Sequence, residues 1–426
     1  MKIAVIGGGA SGMVTAYLLD KNGHQVTIFE NQPMLGGHIR TLNKNVATSP
    51  ENSGLLLEAG VLEFTLKFHN FLALMQELGV EMEPVDLGSA LFFKDGSHIL
   101  SATTIRKNFT GVQKLIEYLR LDSIYAQTLV LQLQLRFADT QQLYDRPLSG
   151  YLQGKSARND WLKLLTMYSY SMPFELIDDF PAELALPALR DYVMTEWVRI
   201  KGGVYSYIEK ILERFRGNVV LNAQITNVSR TFDGGVQIQL ADSVSHLFDR
   251  VVFATPPDRV LQLLADPTDA EIKRFSGWKP NHATTIIHTD TSMYNRYGIK
   301  QLTEFDFFET NRGWGYNAYL NQLCGINSPQ RYSLAFHLED SIDPHKIVHT
   351  QHHDTPLYTV ESFRYRDEVV QTNGENHTYH AGAYLSDGLH EGAITSAMRV
   401  AELIGRITSP LQPADYRIDR AKIGSR

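Results

Sequence analysis

A chain of 426 residues, 43% apolar and 20% charged, with 31 glycines and 16 prolines, has the composition of a globular protein with two or three interlocked lobes, which excludes a disordered polymer. Forty Lys plus Arg against 47 Asp plus Glu leave a formal charge of -7, so no broad cationic surface is on offer to a phosphate backbone and nucleic acid is excluded as an expected partner. The lone Cys324 excludes an intramolecular disulfide scaffold and a thiolate metal site, and with a reducing compartment implied the expected location is the cytoplasm.

In chain order, Lys2 to Ile6 is apolar and β-branched and predicts a buried parallel strand; it is too short for the core of a signal peptide, so no export is expected. Gly7, Gly9 and Gly12 follow in G-x-G-x-x-G spacing, Met13 to Lys21 has helical periodicity, and Gly23 ends that run. His24 to Glu30 predicts a second strand that closes on a carboxylate 18 residues past Gly12. A tight turn, a close backbone approach, a helix N-terminus whose dipole favours an anion and an acid to accept ribose hydroxyls together make a dinucleotide site. FAD and NAD present the same ADP half, so these residues do not choose between them.

Further along, Ser101 to Thr195 runs in long amphipathic segments with few glycines and predicts the helical part of a second lobe. Within it, Leu115 to Phe137 is broken by Glu117, Arg120, Asp122 and Arg136, too polar to cross a bilayer, and predicts a helix with a wide apolar face. Met167, Tyr168, Tyr170, Met172 and Phe174 read first as core and second as the lining of an apolar tunnel. Asn218 to Arg230 predicts a single strand. His349, His352 and His353 have a superficially metal-like spacing but no carboxylate-bearing helix around them; a solvated loop is expected there, and no metal.

Five segments in order carry a family resemblance: Leu35-Gly36-Gly37-His38-Ile39-Arg40-Thr41, LLLEAGVLEF (Leu55 to Phe64), Trp197 to Gly203 followed by the Asn218 to Arg230 stretch, VVFATPPD (Val251 to Asp258), and the C-terminal His380 to Gly405. The pattern resembles the flavin amine oxidase superfamily, with His38 where an arginine is usual. In detail, with Asn281 to Asp290 and Trp314 to Leu323, it is most similar to bacterial FAD-dependent amine-oxidase-like oxidoreductases of the NAD(P)/FAD-binding type. The resemblance implies an α/β fold: a discontinuous Rossmann-like FAD-binding domain (1–75, 200–270 and 372–426) with an interleaved α+β substrate domain (76–199 and 271–371), mainly helical over 101–195.

Carried over residue by residue, the resemblance implies Gly7, Gly9, Ser11 and Gly12 on the pyrophosphate, Glu30 on the adenosine ribose, and Gly36, Gly37, His38, Arg40 and Thr41 on the phosphate or isoalloxazine side. Gly60 and Val61 join the cofactor-binding set, as do Ala254, Thr255 and Pro256. Ile225 is expected on adenine through its backbone, and Gly382, Ala383, Glu391, Gly392 and Ala393 beside the ribityl chain and pyrimidine edge, where helix-start N–H groups favour negative charge. Cys324 stands 58 residues before Gly382, too far for the thiol of a covalent attachment, so the FAD is expected to be noncovalent and Cys324 a small buried hydrophobe.

Two departures bear on the reaction. Several amine-oxidising members carry a lysine in the strand corresponding to His282 to His288, where this chain has none and Lys279 comes too early; and Leu389 stands where an aromatic is usual, leaving Tyr358 or Tyr384 to form a different wall. Imidazole titrates near working pH, so His390 and His288 are the expected proton-handling, catalytic residues. The expected function is an FAD-dependent oxidoreductase that abstracts hydride from a largely apolar or aromatic small molecule, as a dehydrogenase, desaturase or oxidase. The alternatives are an amine or L-amino-acid oxidase producing peroxide, with Arg190 or Arg199 on a carboxylate, and a non-redox flavin-dependent isomerase. Membrane association is the less favoured expectation, and the oligomeric state is left open.

Overall fold

Lys2–Ile6 (β1) is buried from Ile3 onward and lies between two parallel neighbours: Gln25–Phe29 (β2) on one side, with Ile3 facing Val26, and Arg250–Phe253 on the other, with Ile3 facing Arg250. Asn218–Val220 and Thr378–His380 extend this into a five-stranded sheet in the order 378–380, 250–253, β1, β2, 218–220, every pair parallel. Parallel strands covered on both faces need continuous apolar runs, which is what β1 and Arg250–Phe253 supply. The computed structural model describes residues 1–137, 140–193, 195–405 and Leu411; the remainder of the expected C-terminal FAD stretch, 406–410 and 412–426, lies outside the described residues.

The helix after β1, Ala10–Lys21 (α1), starts three residues ahead of the periodic run because Gly9 is already its N-cap. It packs directly against the C-terminal helix His390–Gly405, which brings small residues, Ala397 and Ala401, into the same core as Val14 and Leu18.

Residues 218–230 do not form one strand. After Val220 the chain turns through Asn222, at φ +54°, a left-handed conformation that asparagine tolerates better than most residues. It re-emerges as Ile225–Arg230 in a separate antiparallel sheet with Val236–Leu240 and Ser245–Phe248. The break is pinned by Asn222 N donating to Gln32 O and Ala223 N to Glu30 O.

A seven-stranded mixed sheet forms the second lobe, in the order 347–356, 280–288, 333–336, 313–319, 305–310, 89–92, 98–99. Strand Ile347–Pro356 carries His349, His352 and His353, so these histidines are not in a loop; His353 is buried and the pattern alternates, because each residue of a strand points opposite to its neighbour. Among the described residues no group of three potential metal ligands converges. Helices Ala102–Asn108 and Gly111–Phe137 share a core with Ala90, Phe92 and Phe308 of this sheet, while Ala157–Tyr170 and Ala182–Tyr192 share one with Leu91, Phe305 and Phe307 on its other face. Among the described residues no helix is long and apolar enough to cross a membrane.

Candidate active site

Two glycine turns meet at the carboxyl end of β1. Gly7 sits at φ +108°, where a Cβ would stand 2.5 Å from Ala254 O, and a Cβ on Gly12 would stand 1.9 Å from Gly7 O. Both positions demand glycine for close packing of the turn, the helix and the neighbouring strand. The second turn, Gly36-Gly37, lies on the first: Gly36 N donates to Gly8 O at 2.8 Å, and Gly37, at φ +57°, would place a Cβ 2.9 Å from the Gly9 Cα.

This joint fits a pyrophosphate. The first helical bond of α1 runs from Met13 N to Gly9 O, so the N–H groups of Ala10, Ser11 and Gly12 have no helical acceptor; no side chain caps them and no acid stands in the first turn. The Arg40 guanidinium is buried, donates only to the main-chain oxygens of Leu35 and Ile39, and pairs with no carboxylate among the described residues. Burial pushes its proton affinity down, outweighing the opposing pull of the Glu30 carboxylate. Beside Gly7, the buried Thr255 Oγ1 has no hydrogen-bond partner. Glu30 is buried at the end of β2, its two oxygens accepting from Gly8 N at 2.7 Å and Gln32 N at 2.9 Å, which aims the carboxylate along the glycine turn with lone pairs to spare.

Other members of the expected set have work inside the protein. Thr41 is fully buried and donates to Glu58 Oε2, while Val204 N donates to Glu58 Oε1; burial pushes the Glu58 carboxyl up to about 8. The Ile225 N–H donates to Ala223 O. The Glu391 carboxylate accepts from Asn70 N and Phe71 N and so caps helix His69–Leu78. Gly392 N donates to Asp387 Oδ1, Ala393 N to Leu389 O, and Gly382 N to Ser396 Oγ. The helix-start N–H of Gly392 is therefore taken by a carboxylate of this chain. Ala254 N donates to Ile6 O, and Pro256 and Ala383 are half-buried.

The two histidines differ from their expected roles in environment. His390 stands in an aromatic box, its ring edge-on to Phe64 and Phe71 at 5.1 and 5.6 Å and its Nε2 at 2.8 Å from Tyr207 Oη; burial pulls it down to about 3, so it is neutral at working pH. His288 is wholly buried, with Nε2 bonded to Asn317 Oδ1 and Nδ1 accepting from Asp290 N, a neutral imidazole in a chain that continues through Tyr294 to Asp306. Strand alternation puts His288 on the face opposite Thr285. Thr285 donates to Ala59 O at 2.6 Å, immediately before Gly60, so His288 faces away from the glycine joint. We expect His288→Leu to cost about 1–3 kcal/mol in urea unfolding, the penalty for stranding buried polar partners, with the rate of flavin reduction unchanged. A loss of rate at unchanged stability would return His288 to the reaction.

One residue outside the motifs, His353, joins the expected His38 and Gly60. His353 bonds to Ala59 O at 2.9 Å and lies edge-on to His38, at 5.8 Å between rings; a Cβ on Gly60 would collide with His38 O and approach His353 Cε1. His38 Nε2 bonds to Asp354 O. The only sequence signal for His353 is the alternation of its strand.

Next to Val61, Glu63 is half-buried between the buried Leu62 and Phe64, and Tyr168 is half-buried just past the buried Met167. Tyr168 Oη donates to Glu63 Oε1 at 2.6 Å, and Glu63 Oε2 has no partner. Tyr168 is stacked on Phe305 at 4.3 Å and edge-on to Tyr316 at 4.9 Å. Burial pushes the Glu63 carboxyl up to about 7, against the bond from Tyr168. Tyr358 and Tyr384 are buried and meet through Trp278, with Tyr170 completing an aromatic wall whose hydroxyl donates to Asp387 O. Cys324 is half-buried, its thiol pushed well up by burial. Arg190 is paired with Asp191, and Arg199 with Glu83 and Gln322 O.

The flavin containing amine oxidoreductase family matches residues 10–289, more than half of the chain. The chain is 23% identical over 289 residues to a flavin-dependent L-tryptophan oxidase of Lentzea aerocolonigenes, covering 62% of this chain and 59% of that one. It is 26% identical over 119 residues to a 4,4'-diapolycopen-4-al dehydrogenase of Metabacillus indicus, covering 27% and 22%. It thus spans less than two thirds of the length of these curated relatives. Its fold is shared with a solved CLA-producing fatty acid isomerase from P. acnes, at a TM-score of 0.70 and 18% identity over 95% of this chain and 98% of that one. Members of the matched family bind FAD, the dinucleotide for which the glycine joint is shaped. The chain belongs to the flavin containing amine oxidoreductase family.

Proposed function

We propose that this chain removes a hydride and a proton from a largely apolar or aromatic small molecule, leaving a C=C or C=N bond, with Glu63 taking the proton. The observation that carries this reading is the Glu63–Tyr168 pair: one carboxyl with an unpartnered oxygen, bonded to a tyrosine whose ring packs on Phe305 and Tyr316. Bound FAD supplies the two-electron acceptor for the hydride. Gly7, Gly9, Ser11, Gly12 and Arg40 hold its pyrophosphate and Glu30 its adenosine ribose, while Gly36, Gly37, His38 and Gly60 form the second side of the cradle.

The chain's own part is positioning and proton handling. Flat aromatic faces bind an apolar substrate and exclude water, holding the reacting C–H about 3–3.5 Å from its acceptor. Tyr168 Oη fixes Glu63 Oε1 and with it the carboxyl plane, leaving Oε2 to form the new O–H bond as the substrate's π bond forms. Neither Arg190 nor Arg199 is free to bind a substrate carboxylate, which weighs against amino acids.

A second reading has one observation in its favour: the Glu63 carboxylate is placed to pair with the ammonium of a primary amine. Anaerobic mixing of the FAD-loaded protein with each class, watching the visible flavin band bleach, separates the two. Bleaching by uncharged apolar compounds supports the first reading; bleaching by amines alone, with peroxide under air, replaces it with the second. Bleaching by neither class sinks both.

A further inference from the structure

The helix Gly111–Phe137 presents its apolar residues to solvent. Its inner face, through Glu117, Leu121, Ile124, Thr128 and Leu135, is buried, yet Val112 is 76% exposed and Leu119 62%, and Leu115, Ile116, Leu129, Val130 and Leu133 are exposed too. Val112, Leu119, Ala126 and Leu133 recur every seven residues, and Leu115-Ile116, Asp122-Ser123 and Leu129-Val130 fall at the intervening step, so the exposed residues form one stripe along the helix. The charged Lys114, Arg120 and Arg136 fall outside those positions. The seven large residues leave about 700 Å² of apolar surface in water, more than monomers ordinarily keep and close to the roughly 800 Å² that each partner buries in a stable interface.

The stripe is also its own complement. Laid antiparallel on a second copy with the two-fold axis between Asp122 and Ser123, Val112 faces Leu133, Leu115 faces Val130, Ile116 faces Leu129, and Leu119 faces Ala126. Every apolar position meets an apolar one. The single polar step meets itself at the axis, where the Ser123 hydroxyl of each copy has the Asp122 carboxylate of the other as acceptor. Ser123 and Ala126 are small, which lets the helices approach closely at the centre. A lipid surface would gain nothing from this reversal symmetry, and the stripe lacks the aromatic residues that seat helices in a membrane interface.

We propose that this face is the interface of a two-fold symmetric homodimer formed by antiparallel pairing of helix Gly111–Phe137. The inference is independent of the chemistry proposed above. It is tested by sedimentation of the FAD-loaded protein at micromolar concentration, with Leu119→Glu as the interface variant. The expected result is a species of twice the 48.1 kDa chain mass that falls to one chain in the variant, with FAD content and flavin reduction unchanged. Ser123→Cys should cross-link to its own copy under mild oxidation, whereas Val112→Cys, about 30 Å from its counterpart in this register, should not. A monomer at all concentrations, a dimer indifferent to Leu119→Glu, cross-linking at Val112→Cys instead, or a monomer that binds phosphatidylglycerol vesicles through the stripe would each overturn the proposal.

Discussion

Glu63→Gln is expected to slow flavin reduction by about 10²–10⁴-fold while leaving FAD content intact, because it removes the only carboxyl oxygen of the pair that has no protein partner and keeps the shape. The pH profile distinguishes proton acceptance from mere packing. With the carboxyl pushed up to about 7, the native rate should fall about tenfold per pH unit below pH 7, as the protonated form has no site for the substrate proton. The Gln variant should show no such limb. Tyr168→Phe leaves the base in place but frees its plane, so a smaller loss is expected. An unchanged rate and an unchanged pH limb in Glu63→Gln would remove the proton-acceptor role.

The same group makes a stability prediction of definite sign. Its proton is held more tightly in the fold, at about 7, than at the ordinary 4.5. Glu63 therefore contributes stability in full below pH 4.5, and that contribution is lost as pH rises toward 7. Urea midpoints of Glu63→Gln should be flatter than the native ones across that window.

The second large effect is expected at the glycine joint. Gly12→Val brings a Cβ to 1.9 Å from Gly7 O, a backbone atom that cannot yield without moving the turn from its pyrophosphate geometry. We expect FAD affinity to drop at least about 100-fold, or about 2.8 kcal/mol, and the protein to be purified colourless. Arg40→Met covers the case in which the valine variant fails to fold. It removes the buried unpaired cation without disturbing the turn, and about tenfold weaker binding is expected in titrations of apoprotein with FAD. Stoichiometric yellow Gly12→Val protein would show that the cofactor does not lie along this turn.

How much of this was legible in the chain depends on the range of the forces involved. The β1-turn-α1-β2 unit is local: apolar strand residues, glycines at fixed spacing and a terminal Glu30 fix one another within about thirty residues, and the structure has them where the pattern puts them. The break in 218–230 was illegible because Ile225–Arg230 and Asn218–Val220 look alike as strands; their separation comes from the Asn222 turn and bonds to Gln32 and Glu30, almost two hundred residues away. The surroundings of the two histidines were illegible for a related reason. A side chain's chemistry is set by its surroundings: half-buried His390 and wholly buried His288 are held neutral among aromatic and amide partners contributed by distant elements.

Glu63 shows the converse. Nothing in LLLEAGVLEF marks it as different from Glu58, since both are acids in one short motif. Only folding gives Glu58 two internal donors, Thr41 and Val204, and leaves Glu63 with one oxygen bonded to Tyr168 and one without a partner. The sequence by itself determined the family, the dinucleotide turn and the helical character of 111–137, all of them written in short-range spacing. Tertiary structure alone decided which acid is free, which histidines are neutral, and that the apolar stripe of the long helix faces water, because each depends on which distant groups are brought within a few ångströms.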